Sequence, residues 1–245
     1  MTKSLIQGFL SLFGVRLSRL PTKEDELRNE LRKTIWLRNI GIKTVLDIGA
    51  NVGSFAEWSF QVLPDAMVYS FEPLNDCYQE IMNKFGKMPR FKAFNLALGD
   101  ETGQLEMYRN EWSPSSSLLP MAKLHKDSFP FTEKETIEKI HIVRLDDIAQ
   151  QLNLDKPLLI KVDVQGFEDK VIMGGINVFS QADVLMIEMS MEELYKGQLL
   201  FNDIYEILVN LGFQYRGVTG QLYHPQDGRI LQADVIFIKS SLVSQ

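Results

Sequence analysis

Two stretches of this sequence, Pro157–Val164 ("PLLIKVDV") and Asp183–Met189 ("DVLMIEM"), are almost continuously apolar. A strand with one face in water alternates apolar and polar residues, so runs like these belong to parallel strands covered by helices on both faces. The pattern recurs along the chain. Strands are expected at Thr44–Ile48, Met67–Phe71, Phe91–Leu96, Leu158–Val164, Val184–Met189, Phe213–Val218 and Asp234–Lys239. Helical periods fall between most of them, at Phe55–Val62, Asn75–Phe85, Glu168–Met173 and Asn202–Leu211. Such alternation predicts a doubly wound α/β sheet with right-handed crossovers. The last two strands have no helix between them, which predicts an antiparallel strand near one edge.

The chain has 245 residues, the size of one large α/β domain preceded by a short extension. The extension is read as residues 1–42 and the domain as 43–245. Within the extension, Leu5, Ile6, Phe9, Leu12 and Phe13 oppose Ser4, Gln7, Gly8, Ser11 and Ser18 on a helical wheel. That amphipathic segment suits docking on its own domain or on a second copy in a homo-oligomer better than contact with a membrane surface. A charged helix follows at Lys23–Asn39, with Leu27, Leu31, Ile35 and Trp36 on one face. The formal charge of −6 argues against nucleic acid, whose phosphates need surplus Lys and Arg. Cys77 is the only cysteine, so no internal disulfide forms, and a Cys/His zinc site is not expected beside three scattered histidines. No apolar run reaches the roughly 20 residues of a membrane span, and no cleavage signal follows the first apolar segment. A cytoplasmic protein is expected.

In an open α/β sheet, ligands bind beyond the carboxyl ends of the strands. Five polar residues fall there: Asp47, Glu72, Asn95, Asp163 and Glu188. An Asp at a strand end more often caps the next helix, so the argument rests on their recurrence. Asp47 opens the turn Asp-Ile-Gly-Ala-Asn-Val-Gly. A dinucleotide turn needs glycine at its second conserved position, where the backbone approaches a pyrophosphate; here Asn51 stands instead, and Asp47 would repel phosphate. An ammonium or sulfonium group suits Asp47, and Glu72 is placed to accept both hydroxyls of an unmodified ribose. S-adenosylmethionine carries all of these groups. One region breaks the rhythm, the Ser- and Pro-rich stretch from Trp112 to Phe131, and long irregular segments in compact domains are usually functional.

The motifs "VLDIGANVG", "FEP", "NLALGD", "SSSL", "RLDDI" and "KVDVQGFE" resemble, in order and spacing, the FkbM-type methyltransferases, a family within the class I S-adenosylmethionine-dependent enzymes. The resemblance spans about Lys43 to Lys239. It implies a Rossmann-like seven-stranded sheet, mostly parallel with one antiparallel strand near the edge, and O-methylation, often of secondary metabolites or sugars. Carried onto this sequence, it places Asp47, Gly49, Asn51 and Gly53 at the methionine end of the cofactor, with helix-opening N–H groups near Ser54 for the carboxylate. Glu72 and Pro73 take the ribose side, Asn95 and Leu96 the adenine edge, and Asp163 the neighbourhood of the transferred methyl. Asp163 is the first candidate for the base that relieves a hydroxyl acceptor of its proton. Its competing role is a helix cap paired to Lys161, and His125 is the alternative base. Asp163 with Glu188 could also hold Mg²⁺, but no third ligand is evident and no metal is expected. Trp112, Ser116, Ser117 and Glu188 are expected at the acceptor. A non-catalytic cofactor-binding module engaging a protein partner, and a nicotinamide dehydrogenase, remain the other readings.

Overall fold

Thr44–Ile48 (β1) is buried at every residue and lies in the middle of the sheet, as its apolar run requires. The computed structural model describes residues 22–243; the amphipathic segment at the N-terminus lies outside them. The chain divides between Asn39 and Ile40 into two compact units. In the first, Thr22 and Asp25 form a reciprocal cap in which Asp25 N–H donates to Thr22 Oγ1 (3.3 Å) and Thr22 N–H to Asp25 Oδ2 (3.0 Å). The expected single helix is two, Lys23–Lys33 (α1) and Ile35–Ile40 (α2), interrupted at Thr34, and Ile35 is exposed.

In the second unit, β1 leads into Ser54–Val62 (α3), Met67–Phe71 (β2), Asn75–Phe85 (α4), Phe91–Phe94 (β3), Ala97–Leu98 (β4) and Gly103–Asn110 (β5). Then come Lys123–Ser128 (α5), Glu135–Val143 (β6), Leu145–Ile148 (α6), Leu158–Val162 (β7), Glu168–Gly174 (α7) and Ile176–Gln181 (α8). Val184–Ser190 (β8), Phe201–Asn210 (α9), Phe213–Tyr223 (β9) and Ile230–Lys239 (β10) close the fold. Seven strands form one sheet in the order β3-β2-β1-β7-β8-β10-β9. Only β10 runs against its neighbours, pairing antiparallel with both β8 and β9. The chain winds outward in both directions from β1 and β7, which pair in parallel, so the switch point lies between them.

The core follows from the sequence runs. Leu46, Ile160, Leu185, Ile187, Val235 and Phe237 from the strands meet Val171, Phe179, Ile204 and Leu208 from the helices. Each fully buried side chain of this size favours folding by roughly 1.5–3 kcal/mol, enough to fix the strand order in spite of the polar groups at the strand ends.

A second, three-stranded sheet, β4-β6-β5, pairs the short strand that opens the irregular region with the strand that closes it, a pairing the sequence pattern did not reveal. The expected strand Phe91–Leu96 stops at Phe94, and Ala97–Leu98 pairs instead with Ile142–Val143 of β6. Between β5 and β6 runs the Ser/Pro-rich stretch, which is folded rather than open. Ser117 and Tyr108 exchange backbone hydrogen bonds (2.8 and 3.0 Å), and Ala122 N–H and Lys196 N–H bond to Leu194 and Pro120 carbonyls (2.9 and 2.8 Å). Ser116, Ser117, His125, Ser128 and Thr132 are all buried.

Candidate active site

The turn after β1 needs left-handed backbone at Gly49 (φ 80°), Asn51 (φ 47°) and Gly53 (φ 83°). A Cβ on Gly49 would lie 1.8 Å from the Asp163 carbonyl oxygen, so only glycine lets β1 and β7 close at this point. Gly53 caps α3, and a Cβ there would come within 2.9 Å of the Phe85 ring. Asn51 tolerates its conformation because its side chain and backbone both find partners: Oδ1 accepts from Ser113 Oγ (3.1 Å) and N–H donates to Glu72 Oε2 (2.8 Å).

Glu72 ends β2 almost wholly buried, with Leu74 N–H on its other oxygen at 2.8 Å. Burial pushes its carboxyl up to about 7, against the pull of those N–H groups from Leu74 and Asn51. It floors a cavity of about 210 Å³ whose apolar wall includes Leu74, Ala97, Leu98, Met107 and Leu118. One fixed carboxylate acceptor beside an apolar slot suits a nucleoside, whose free ribose hydroxyls donate and whose base needs an apolar wall. Pro73 and Ser116 also line this cavity.

A second cavity of about 450 Å³ adjoins the first and shares Gly49, Asn51, Pro114, Asp163 and Glu188 with it. Ser54, Phe55, Trp58, Lys161, Thr219 and Asp234 complete its wall. Lys161 holds the acids together. Its Nζ lies 3.2 Å from Asp163 Oδ2, 3.5 Å from Asp47 Oδ1 and 3.2 Å from the Gly49 carbonyl. Burial alone would favour the neutral amine, but Asp163 and Asp47 outweigh it and raise the ammonium's pKa. Asp47 is fully buried beneath the turn, bonded by Ser70 Oγ (3.2 Å). Burial raises its carboxyl above the ordinary range, with Lys161 opposing.

Gln165, in the turn after β7, went unremarked in the sequence. Its backbone is left-handed (φ 57°), and its Nε2 donates to both Asp163 Oδ1 (2.8 Å) and Glu188 Oε2 (2.6 Å). Tyr195 Oη donates to Gln165 Oε1 (2.9 Å), and Ser117 Oγ to the Gln165 carbonyl (2.6 Å). The Gln-Gly pair was the available signal for Gln165; Tyr195, remote in sequence, offered none. Glu168 turns inward and accepts from Val164 and Gly166 N–H (3.2 and 3.1 Å), which shapes the turn.

The structure brings Gly49, Asn51, Ser54, Glu72, Pro73, Ser116, Asp163 and Glu188 to the two cavities. It keeps others away. Asn95 points back to the Glu72 and Pro73 carbonyls (3.0 and 2.9 Å), so it braces the β2 exit, and the wall is made by Ala97 and Leu98 rather than Asn95 and Leu96. His125 is packed against Phe129 and Tyr195 and lines neither cavity. Burial lowers it to about 4, and its Nδ1 has no partner among the described residues, so it is a neutral core residue rather than a base. Trp112 is 56% exposed, edge-on to Phe131, and outside both cavities. Ser117 is spent on Gln165 and Leu119 rather than facing a ligand. Asp47 and Gly53 support the turn from beneath without lining it. No group of His, Cys, Asp and Glu among the described residues has the arrangement of a metal site.

The model of the methyltransferase FkbM domain matches residues 47–215. The chain is 31% identical over 188 residues to 2-O-methyltransferase NoeI of Sinorhizobium fredii, covering 73% of this chain and 77% of that protein. It is 26% identical over 153 residues to methyltransferase sdnD of Sordaria araneosa, covering 53% of this chain and 59% of that one.

Proposed function

The chain belongs to the FkbM methyltransferase family, and from that premise we propose an S-adenosylmethionine-dependent O-methyltransferase whose two cavities divide the work. The observation that carries this reading is their meeting along Gly49, Asn51 and Asp163. The Glu72 cavity takes the adenosine, with Leu74, Ala97 and Leu98 against the purine and Glu72 accepting from the ribose. The turn at Gly49 and Asn51 and the start of α3 at Ser54 hold the amino-acid end, where helix N–H groups favour a carboxylate. The cofactor supplies an electrophilic methyl on a positively charged sulfur. Lys161 keeps Asp163 ionised beside that position, and the carboxylates favour positive charge there.

The second cavity receives the acceptor, a small-molecule or glycan hydroxyl. Trp58 and Phe55 offer apolar faces, and Glu188, Asp234 and Thr219 offer hydrogen-bonding groups. Three carboxylates in one wall, with a formal charge of −6 overall, disfavour a nucleic-acid acceptor. The name of the NoeI relative supports a hydroxyl acceptor. Among the described residues no helix is long and apolar enough to cross a membrane. Much of the rate would come from holding acceptor oxygen and methyl carbon in line.

The test offers methyl-labelled S-adenosylmethionine with methyl glycosides bearing a free 2-hydroxyl, and with simple secondary alcohols. Label appearing in an ether product supports the reading. S-adenosylhomocysteine binding without transfer to any of them defeats it in favour of a cofactor-binding module.

A further inference from the structure

Resting on the O-methyltransferase reading above, we propose that Glu188, rather than Asp163, takes the proton released by the acceptor hydroxyl. Gln165, aligned by Tyr195, is the residue that positions it. The geometry separates the two acids. Both Asp163 oxygens already hold donors, Oδ1 from Gln165 (2.8 Å) and Oδ2 from Lys161 (3.2 Å). Glu188 accepts from Gln165 Nε2 through Oε2 (2.6 Å) and has no cation on it, while a hydrogen bond between the two carboxyls holds Asp163 low and Glu188 high. Glu188 also lines both of these cavities and a third, of about 300 Å³, with Gln221, Gln232 and Asp234, so its carboxyl stands where acceptor and cofactor sides meet.

Gln165 sets the direction of this arrangement. Its two amide hydrogens go to the two carboxyls, and its carbonyl oxygen accepts from Tyr195 Oη. Tyr195 is fully buried, and its single hydroxyl hydrogen goes to the nearer acceptor, Gln165 Oε1 at 2.9 Å, over the Ser115 carbonyl at 3.2 Å. A flipped amide would set its oxygen against two carboxyls, so the hydroxyl locks the productive sense.

Lys161 faces Glu188 from β7, Asp163 from just past its end, Asp234 from β10, Glu168 from the first turn of α7, and Tyr195 from beyond β8. Burial, then the charges of Asp163, Glu168 and Asp234, raise the Glu188 carboxyl well above the ordinary range. Burial works in the same direction on Asp163, but Lys161 and Gln165 more than offset it and hold that carboxyl low. The more basic carboxyl is the better proton acceptor, which favours Glu188 over a carboxylate pinned to a lysine. In the step, an acceptor-oxygen lone pair forms the carbon–oxygen bond. The electron pair of the broken carbon–sulfur bond stays on sulfur, which ends as a neutral thioether. The hydroxyl proton passes to Glu188 Oε1, so a sulfonium and a carboxylate are both neutralised.

The experiment compares wild type with Glu188→Gln, Asp163→Asn, Gln165→Met and Tyr195→Phe. Turnover is followed against pH with the methyl glycoside or alcohol that wild type methylates fastest. Calorimetry with S-adenosylhomocysteine and ¹³C NMR titration of the glutamate carboxyls in that complex give readouts independent of turnover. Glu188→Gln should lose about 10²–10⁴-fold in turnover, keep S-adenosylhomocysteine binding and delete one carboxyl that titrates above the ordinary range. Asp163→Asn removes a neighbouring negative charge, so that carboxyl and the rising limb of the pH profile should move together to lower pH. Gln165→Met removes a donor to the ionised form and should move both upward; Tyr195→Phe should do so less. Turnover in Glu188→Gln within tenfold of wild type, a Glu188 carboxyl titrating at an ordinary value, or a rising limb that stays in place in Asp163→Asn overturns the proposal. Wild type that methylates none of the probes overturns the enzymatic reading and this step with it, whereas an active wild type with an active Glu188→Gln overturns this step alone.

Discussion

The two cavities meet at a common rim yet are built on different principles. In the first, backbone groups fix a single acid: the turn at Gly49–Asn51 donates directly to Glu72, and Leu74 two residues on closes the other oxygen. Its specificity lies in backbone geometry around one acid. The second draws Phe55 and Trp58 from α3, Lys161 and Asp163 from β7, Glu188 from β8, Thr219 from β9 and Asp234 from β10. Its charges have meaning only as a set, because Lys161 is shared among acids that different strands deliver.

Removing the cation that joins both regions should have the largest effect. Lys161→Met leaves the fully buried Asp47 and the half-buried Asp163 without their counter-charge, and losing one partner of a buried pair costs about 3–5 kcal/mol. Urea unfolding should show this deficit at pH 8 and a smaller one at pH 5, where the stranded carboxyls take up protons. An equal deficit at both would mean that Lys161 acts through packing.

Glu72→Ala separates the cavities. Losing hydrogen bonds to a charged acceptor costs about 1.5–3 kcal/mol, so S-adenosylhomocysteine should bind roughly tenfold or more weakly by calorimetry. In wild type the same affinity should fall as pH drops through about 7, where Glu72 takes a proton. The stability effect has the opposite sense. With a folded value of about 7 and an unfolded one of about 4.3, Glu72 favours folding most below the unfolded value. That contribution is lost as pH rises through about 7. Glu72→Gln should therefore raise the melting temperature at pH 8 while still weakening the ligand, and a lowered one would deny Glu72 its burial cost.

Asp234→Asn should touch only the acceptor side, raising acceptor KM about fivefold for roughly 1 kcal/mol of lost hydrogen bonding, with S-adenosylhomocysteine affinity unchanged. Effects on both ligands would merge the two regions. Smallest of all, Trp112→Ala should change stability by under about 0.5 kcal/mol, as surface substitutions do, and leave both ligands alone; a raised acceptor KM would return Trp112 to the site.

The sequence by itself determined the doubly wound sheet, because runs such as Leu158–Val162 and Val184–Ser190 can be buried only between helices, and β7 and β8 are so buried. It also determined the Asp47–Gly53 turn and Glu72, since left-handed positions and a buried strand-end acid leave local signatures. It carried the third strand on to Leu96 and missed the strand Ala97–Leu98, because two-residue pairing with Ile142–Val143 has no periodicity to read. Only the tertiary structure decided which candidates share a cavity. His125 and Trp112 looked alike as loop residues, but burial against Tyr195 made one neutral core and exposure set the other apart. Gln165 acquires its role from Tyr195, thirty positions away, and Asp234 from facing Glu188 across the β10–β8 ladder. The physical reason is the same in each case: a strand run or a turn is fixed by interactions within a few residues, whereas the state of a buried charge depends on every group the fold packs around it.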